Sequence, residues 1–171
     1  NYSGGEIFGG ANYVAKTAGT HGNNLLVSTC PSATAYSQEL AVGNSVASAG
    51  AVGDTTVTVD DVDLASNVIN VGDIIQFSST ASTTDFDDGE FYRVTAANTG
   101  TNVVTFVQHP RGSGGLKRVV ADNARIKRRW RYYDAVDGGA PGTSKFVSDR
   151  SGSGDEIHIV IVDEDGGITG V

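Results

Sequence analysis

Four short segments in which apolar and polar residues alternate, each bounded by turn chemistry, constrain the fold of this chain more than any other feature. Thr55-Thr56-Val57-Thr58-Val59 repeats with period two, which puts one face in a core and the other in water. Val71-Gly72-Asp73 turns the chain into Ile74-Ile75-Gln76-Phe77. Asp87-Asp88-Gly89 precedes Glu90-Phe91-Tyr92-Arg93-Val94-Thr95, and Asn98-Thr99-Gly100-Thr101-Asn102 precedes Val103-Val104-Thr105-Phe106-Val107. His109-Pro110 ends the series, because proline cannot continue a sheet ladder. Four strands at this spacing describe a small antiparallel β-barrel or sandwich over about residues 50–110, with Phe77, Phe91, Tyr92 and Phe106 in its core. Such barrels carry many unrelated functions, so the architecture alone assigns none.

The flanks read differently. Residues 1–24 are loop-like. Leu25 to Cys30 is a strand closed by Pro31. Residues 31–53 are irregular, with one helical turn around Gln38-Glu39-Leu40. From Ala121 to Tyr133, Ile126, Arg128, Trp130 and Tyr132 alternate with Lys127, Arg129 and Arg131, as in a strand with one basic face. Residues 137–155 are a Gly/Ser-rich loop. Glu156 to Val162 alternates and then becomes continuously apolar, the pattern of a strand buried on both faces. Asp163-Glu164-Asp165-Gly166-Gly167 turns it towards a further strand at Ile168.

The 171 residues suffice for one ordinary domain or two small ones, and for a core without disulfides. The 23 glycines imply many turns and short strands. The chain lacks Met, so it is expected to be an internal fragment of a longer product. Its single cysteine, Cys30, is expected to act as a small buried hydrophobe. No apolar run approaches the ~20 residues of a membrane span, and no signal peptide is visible.

The net charge of −8 argues against a general nucleic-acid binder. The charge is uneven: Arg111, Lys117, Arg118, Arg125, Lys127, Arg128, Arg129 and Arg131 form a basic stretch, while acids gather at Asp60-Asp61, Asp85-Asp87-Asp88 and Asp163-Glu164-Asp165. Such asymmetry suggests complementary surfaces within one chain or between copies. The basic-aromatic run Lys127 to Tyr133 is the one constellation that could bind nucleic acid by stacking and phosphate pairing. The acidic total favours instead a strand with its aromatics in a core and its cations at the surface or a protein interface.

Neither acidic turn has the ligand offsets of a calcium loop, which needs a late bidentate Glu. His21, His109 and His158 lack metal spacing, and no nucleophile elbow, phosphate loop or dinucleotide glycine pattern occurs. With no convergent acid, base and nucleophile, the expectation is a non-enzymatic protein without a cofactor or metal.

Two segments taken together resemble the sheath protein of contractile phage tails. Ala15-Lys16-Thr17-Ala18-Gly19-Thr20-His21-Gly22-Asn23-Asn24-Leu25-Leu26-Val27 is similar to a family pattern Pro-Gly-x-Trp-Gly-Asn-x-Leu-x-Val. It keeps Gly19, Gly22, Asn23, Leu25 and Val27 and departs at Ala18 and His21. Asp155 to Asp163, then Gly166, resembles a later family strand that reaches a charged turn. Read physically, Gly19 and Gly22 allow a tight turn, Asn23 ties down backbone groups, and Leu25 and Val27 point one way into a core.

The resemblance implies a mainly β or α+β fold, a mixed sheath-type core built from both ends of the chain with the small antiparallel β-barrel inserted. The expected division is 1–47 and 114–171 for the two parts of the core and 48–113 for the barrel. It also implies a structural subunit that stacks in rings of identical copies around a tail tube protein, contracts to deliver the genome, and works in the virion tail after assembly in the host bacterial cytoplasm. Arg125, Lys127, Arg128, Arg129 and Arg131 are the candidate subunit interface. The rival reading is a virion-surface or secreted binding module whose barrel recognises glycan.

Overall fold

A computed structural model describes residues 13, 22, 24–64, 68–81, 83–86 and 90–167. The described chain is mainly β. Its strands are β1 (Leu25–Cys30), β2 (Ser37–Glu39), β3 (Thr56–Thr58), β4 (Ile74–Ala81), β5 (Phe91–Asn98), β6 (Val103–His109), β7 (Ala124–Arg129) and β8 (His158–Asp163). Two single-turn helices, α1 (Ala33–Tyr36) and α2 (Lys145–Ser148), accompany them. All strand pairs are antiparallel, in a six-stranded sheet of order β2-β7-β4-β5-β6-β3 and a separate β1-β8 ribbon.

The alternation seen in sequence becomes two sheet faces. Ile75 and Phe77 of β4, Tyr92 and Val94 of β5, Val104 and Phe106 of β6, and Ala124 and Ile126 of β7 are buried in one cluster. Phe77, Tyr92 and Phe106 meet at centroid distances of 5.1–5.8 Å, favourable ring-pair separations. Each such side chain contributes about 1.5–3 kcal/mol on burial. Phe91 is the exception to the expected core. It stands half-buried on the opposite face, because its neighbour Tyr92 already points inward and successive residues of a strand face opposite ways.

The six strands do not close into a barrel. The irregular segment 40–50 bridges the gap instead. Leu40 N–H and Val46 N–H donate to Ile126 O and Ala124 O at 2.8 and 3.0 Å, while Ala47 N–H donates to Thr58 O at 2.9 Å. Leu40 and Val46 are fully buried there. At Gly115 a Cβ would lie 2.2 Å from Asp54 O, so only glycine permits this approach of the two loops.

The expected boundaries at 48 and 113 cut through this sheet. β2 and β7 lie outside them, yet β7 pairs with β4 over Ile74↔Arg129 to Phe77↔Ile126, and Leu116, Val120 and Ile126 belong to the same core. The helical turn expected around Gln38 also falls elsewhere. Ser32 Oγ caps α1 by accepting from Ala35 N–H at 3.2 Å, which starts the helix earlier. Gln38 and Glu39 then pair with Arg128 and Lys127.

β1 and β8, from opposite ends of the described chain, pair from Leu25↔Asp163 to Cys30↔His158. β8 is not buried on both faces: Ile157, Ile159 and Ile161 are 50%, 50% and 65% exposed. Among the described residues the ribbon has a covering layer on one side only. Val27 pairs directly with Ile161, so Leu25 and Val27 do share a direction, but it is that of the exposed isoleucines and both remain half-buried.

Candidate interaction surface

Trp130, the residue after β7, joins the ribbon to the large sheet. Its Nε1–H donates to Ser28 Oγ at 2.9 Å and its ring stacks with that of His158 at 6.4 Å. His158 also meets the Tyr36 ring edge-on at 6.2 Å, and its Nε2 lies 2.7 Å from Gly139 O. Tyr36 O–H donates to Tyr133 O at 2.6 Å. Cys30 closes this layer, fully buried and unpaired, and burial raises its thiol pKa, which suits packing and not reactivity.

Strand register and side-chain hydrogen bonds together sort the basic residues into two groups. Arg128 lies in an inward row with Gln38, Ile75 and Tyr92. Its Nη1 is 3.6 Å from Asp73 Oδ2, with the side chains only 14% and 10% exposed, and its Nη2 donates to Gln38 Oε1 at 3.1 Å. Burial holds the Asp73 carboxyl above its ordinary pKa, against the opposing pull of the Asn70 N–H and Arg128. Arg125 Nη2 donates to Leu40 O, so this guanidinium stitches β7 to the bridging segment. Arg118, before β7, supports the splayed part of β4: Nη2 donates to Phe77 O and Ser78 O at 2.9 and 3.2 Å, and Nε to Glu90 Oε2 at 2.9 Å. Arg125 and Arg128 are therefore committed to the fold, although the sequence places them with the interface candidates.

The other group faces outward. Arg129 lies in a row with Ser37, Ile74, Arg93 and Val107. Its guanidinium carbon sits 4.9 Å from the Phe91 ring centroid and 5.3 Å from that of Tyr133. Lys127 Nζ stands 5.6 Å from the Phe86 centroid, and Arg131 lies 5.2 Å from that of Tyr132. Among the described residues no carboxylate comes within ion-pair distance of Arg93, Lys127, Arg129 or Arg131. Cations held against aromatic faces gain about 0.5–1 kcal/mol each at exposed sites and keep their N–H donors free for an anion.

Phe91 and Arg93 are the members of this surface that reading the sequence alone missed, whereas Tyr133 already stood in the basic-aromatic run that begins at Lys127. The signal lay in β5, where either Phe91 and Arg93 or Tyr92 and Val94 face the core, and the guanidinium decides between them. Of the family-motif residues, Gly22, Leu25 and Val27 are described, while Gly19 and Asn23 lie outside the described residues, as does Ile168. Among the described residues no group of His, Cys, Asp and Glu is arranged to hold a metal ion, and no helix is long and apolar enough to cross a membrane. An open recess is lined by Gly138, Ala140, Asp155, Glu156, Ile157 and His158. Its acids are occupied: Asp155 accepts from Ser144 and Glu156 from Gly142 N–H. No protein-family model and no curated protein matches the chain.

Proposed function

We propose that this chain is a non-enzymatic structural piece of a self-assembling subunit, of the kind that forms the contractile sheath of a phage tail. The observation that carries the reading is the β1-β8 ribbon. It pairs residues 25–27, the described end of the first segment that resembles the sheath family, with residues 161–163 of the second, and the six-stranded sheet lies between them in sequence. In this role the sheet projects from the ribbon, and copies stack in rings around a tail tube within the virion tail, assembled in the host bacterial cytoplasm. Work comes from rearranged subunit contacts, so neither cofactor nor nucleotide is needed. Electron microscopy of the full gene product that contains this chain tests the reading. Rings or tubes are expected, and particles that stay monomeric at high concentration overturn it.

A second reading has one observation in its favour. Phe91 and Tyr133 form an aromatic pair on the outer sheet face, 6.2 Å apart, and half-exposed rings are what a glycan-binding module presents. Binding to a panel of immobilised glycans, abolished by Phe91→Ala, would favour that module over the sheath.

A further inference from the structure

Residues 91–131 hold nine of the twelve Lys and Arg residues and one carboxylate, Asp122. The other nineteen carboxylates lie outside this stretch. The fold concentrates the imbalance further. It turns Arg118, Arg125 and Arg128 into internal struts and leaves Arg93, Lys127 and Arg129 on one sheet face. Neighbouring strands lie about 4.8 Å apart, so the Arg93 and Arg129 backbones are roughly 10 Å apart with buried Ile74 between them. Like charges this close repel each other unless an anion faces them. Phe91 and Tyr133 hold the Arg129 guanidinium against their rings.

At the far end of the ribbon is the complementary surface. Glu164 and Asp165 are exposed at a turn braced by Asn24, whose backbone carbonyl accepts from Glu164 N–H at 2.9 Å and whose side chain donates to Asp165. Beside them run the exposed Ile159 and Ile161. A short acidic turn with an apolar stripe fits a face made of guanidinium groups and aromatic rings, where carboxylates meet Arg and isoleucines meet Phe91 and Tyr133.

We propose that the outer face of the large sheet, centred on Arg93 and Arg129, docks the Glu164-Asp165 turn of a second copy of this chain. The deduction rests on the reading of the chain as a self-assembling subunit. When each copy offers its turn to one neighbour and receives the turn of another, the contact is head-to-tail, and repeating it yields a ring or a filament. A nucleic acid would also meet the cations, but it would have to approach a chain of net charge −8, whereas a second copy brings its carboxylates already placed beside an apolar stripe.

Charge-swap complementation in sedimentation velocity tests this. The 171-residue chain should associate at about 0.05 M salt and dissociate towards 0.5 M as screening shortens. Arg129→Glu and Glu164→Arg should each weaken association at least about fivefold, the value of a single ~1 kcal/mol pair. An equimolar mixture of the two variants should recover it, because each contact then has opposite charges again. Arg93→Glu, at a residue whose side chain makes no ion pair among the described residues, serves if Arg129→Glu fails to fold. A mixture that stays dissociated overturns the proposal, as does association insensitive to both substitutions. If the full gene product still forms rings while these variants behave as wild type, only the docking contact falls. If neither associates, the subunit reading falls with it. Tight binding of a fluorescent oligothymidylate, lost in Arg129→Glu, would assign the face to nucleic acid instead.

Discussion

Arg128 reaches Asp73 across the inner edge of the sheet, Nη1 to Oδ2 at 3.6 Å, although β7 as a whole carries the most basic stretch of the chain. The contact converts an apparent surface cation into part of the core's rim. Arg128→Met should leave Asp73 buried without its cation and cost about 3 kcal/mol, the lower end of the range for breaking a buried pair. Arg128→Glu should cost more by setting two acids together. Urea unfolding measures both, and a loss below about 0.5 kcal/mol for Arg128→Met would show the pair to be slack.

The two carboxyls with opposite surroundings should titrate apart. Burial raises the folded pKa of Asp73. The folded state therefore holds that proton more tightly, and stability from this group is lost as pH rises from the ordinary carboxylate value through the folded one. Asp155 accepts from the Ser144 hydroxyl and N–H, which lowers its pKa. Its contribution is present above the ordinary value and is lost as pH falls through the folded one. Carbon-13 NMR should find Asp73 titrating above ~4 and Asp155 below. Coincident titrations would rule out both environments, and Ser144→Ala should move Asp155 alone.

Ile159→Asp should be tolerated within about 0.5 kcal/mol, the usual range for an exposed site. The apolar run around it predicts a core position, but its side chain faces outward at 50% exposure. Phe106→Ala, at a fully buried ring, should cost about 3–5 kcal/mol. Thermal melts of the two variants side by side decide the matter, and comparable losses would mean that the outer ribbon face is covered.

The stretch 48–113 should not fold alone, because it lacks β7, which pairs with β4 and supplies Ala124 and Ile126 to the core. The stretch 37–130 contains all six strands of the sheet and should give a cooperative thermal transition. A sharp transition for 48–113 would show that β3 to β6 suffice.

Much of the fold is legible in the residues themselves. The period-two alternation of β3 to β6 and the turn at Gly72 set strands and faces by local rules, and Arg128 already alternates with Ile126 and Trp130 as an inward residue. The alternation cannot say which strand neighbours which, because pairing is a long-range choice. β4 lies between β5 and β7, and that choice extends the sheet past residue 113, while the segment 40–50 bridges the gap that leaves the sheet open. Nor could an apolar run reveal its own exposure: Ile157, Ile159 and Ile161 look buried because burial depends on whether a second layer arrives. The surface around Arg129 is the sharpest case. Lys127, Arg129 and Tyr133 are local in sequence, but Phe91 and Arg93 join them only when β5, β4 and β7 align. Chemistry was written in the chain, and tertiary pairing decided which charges became struts and which were left facing outward.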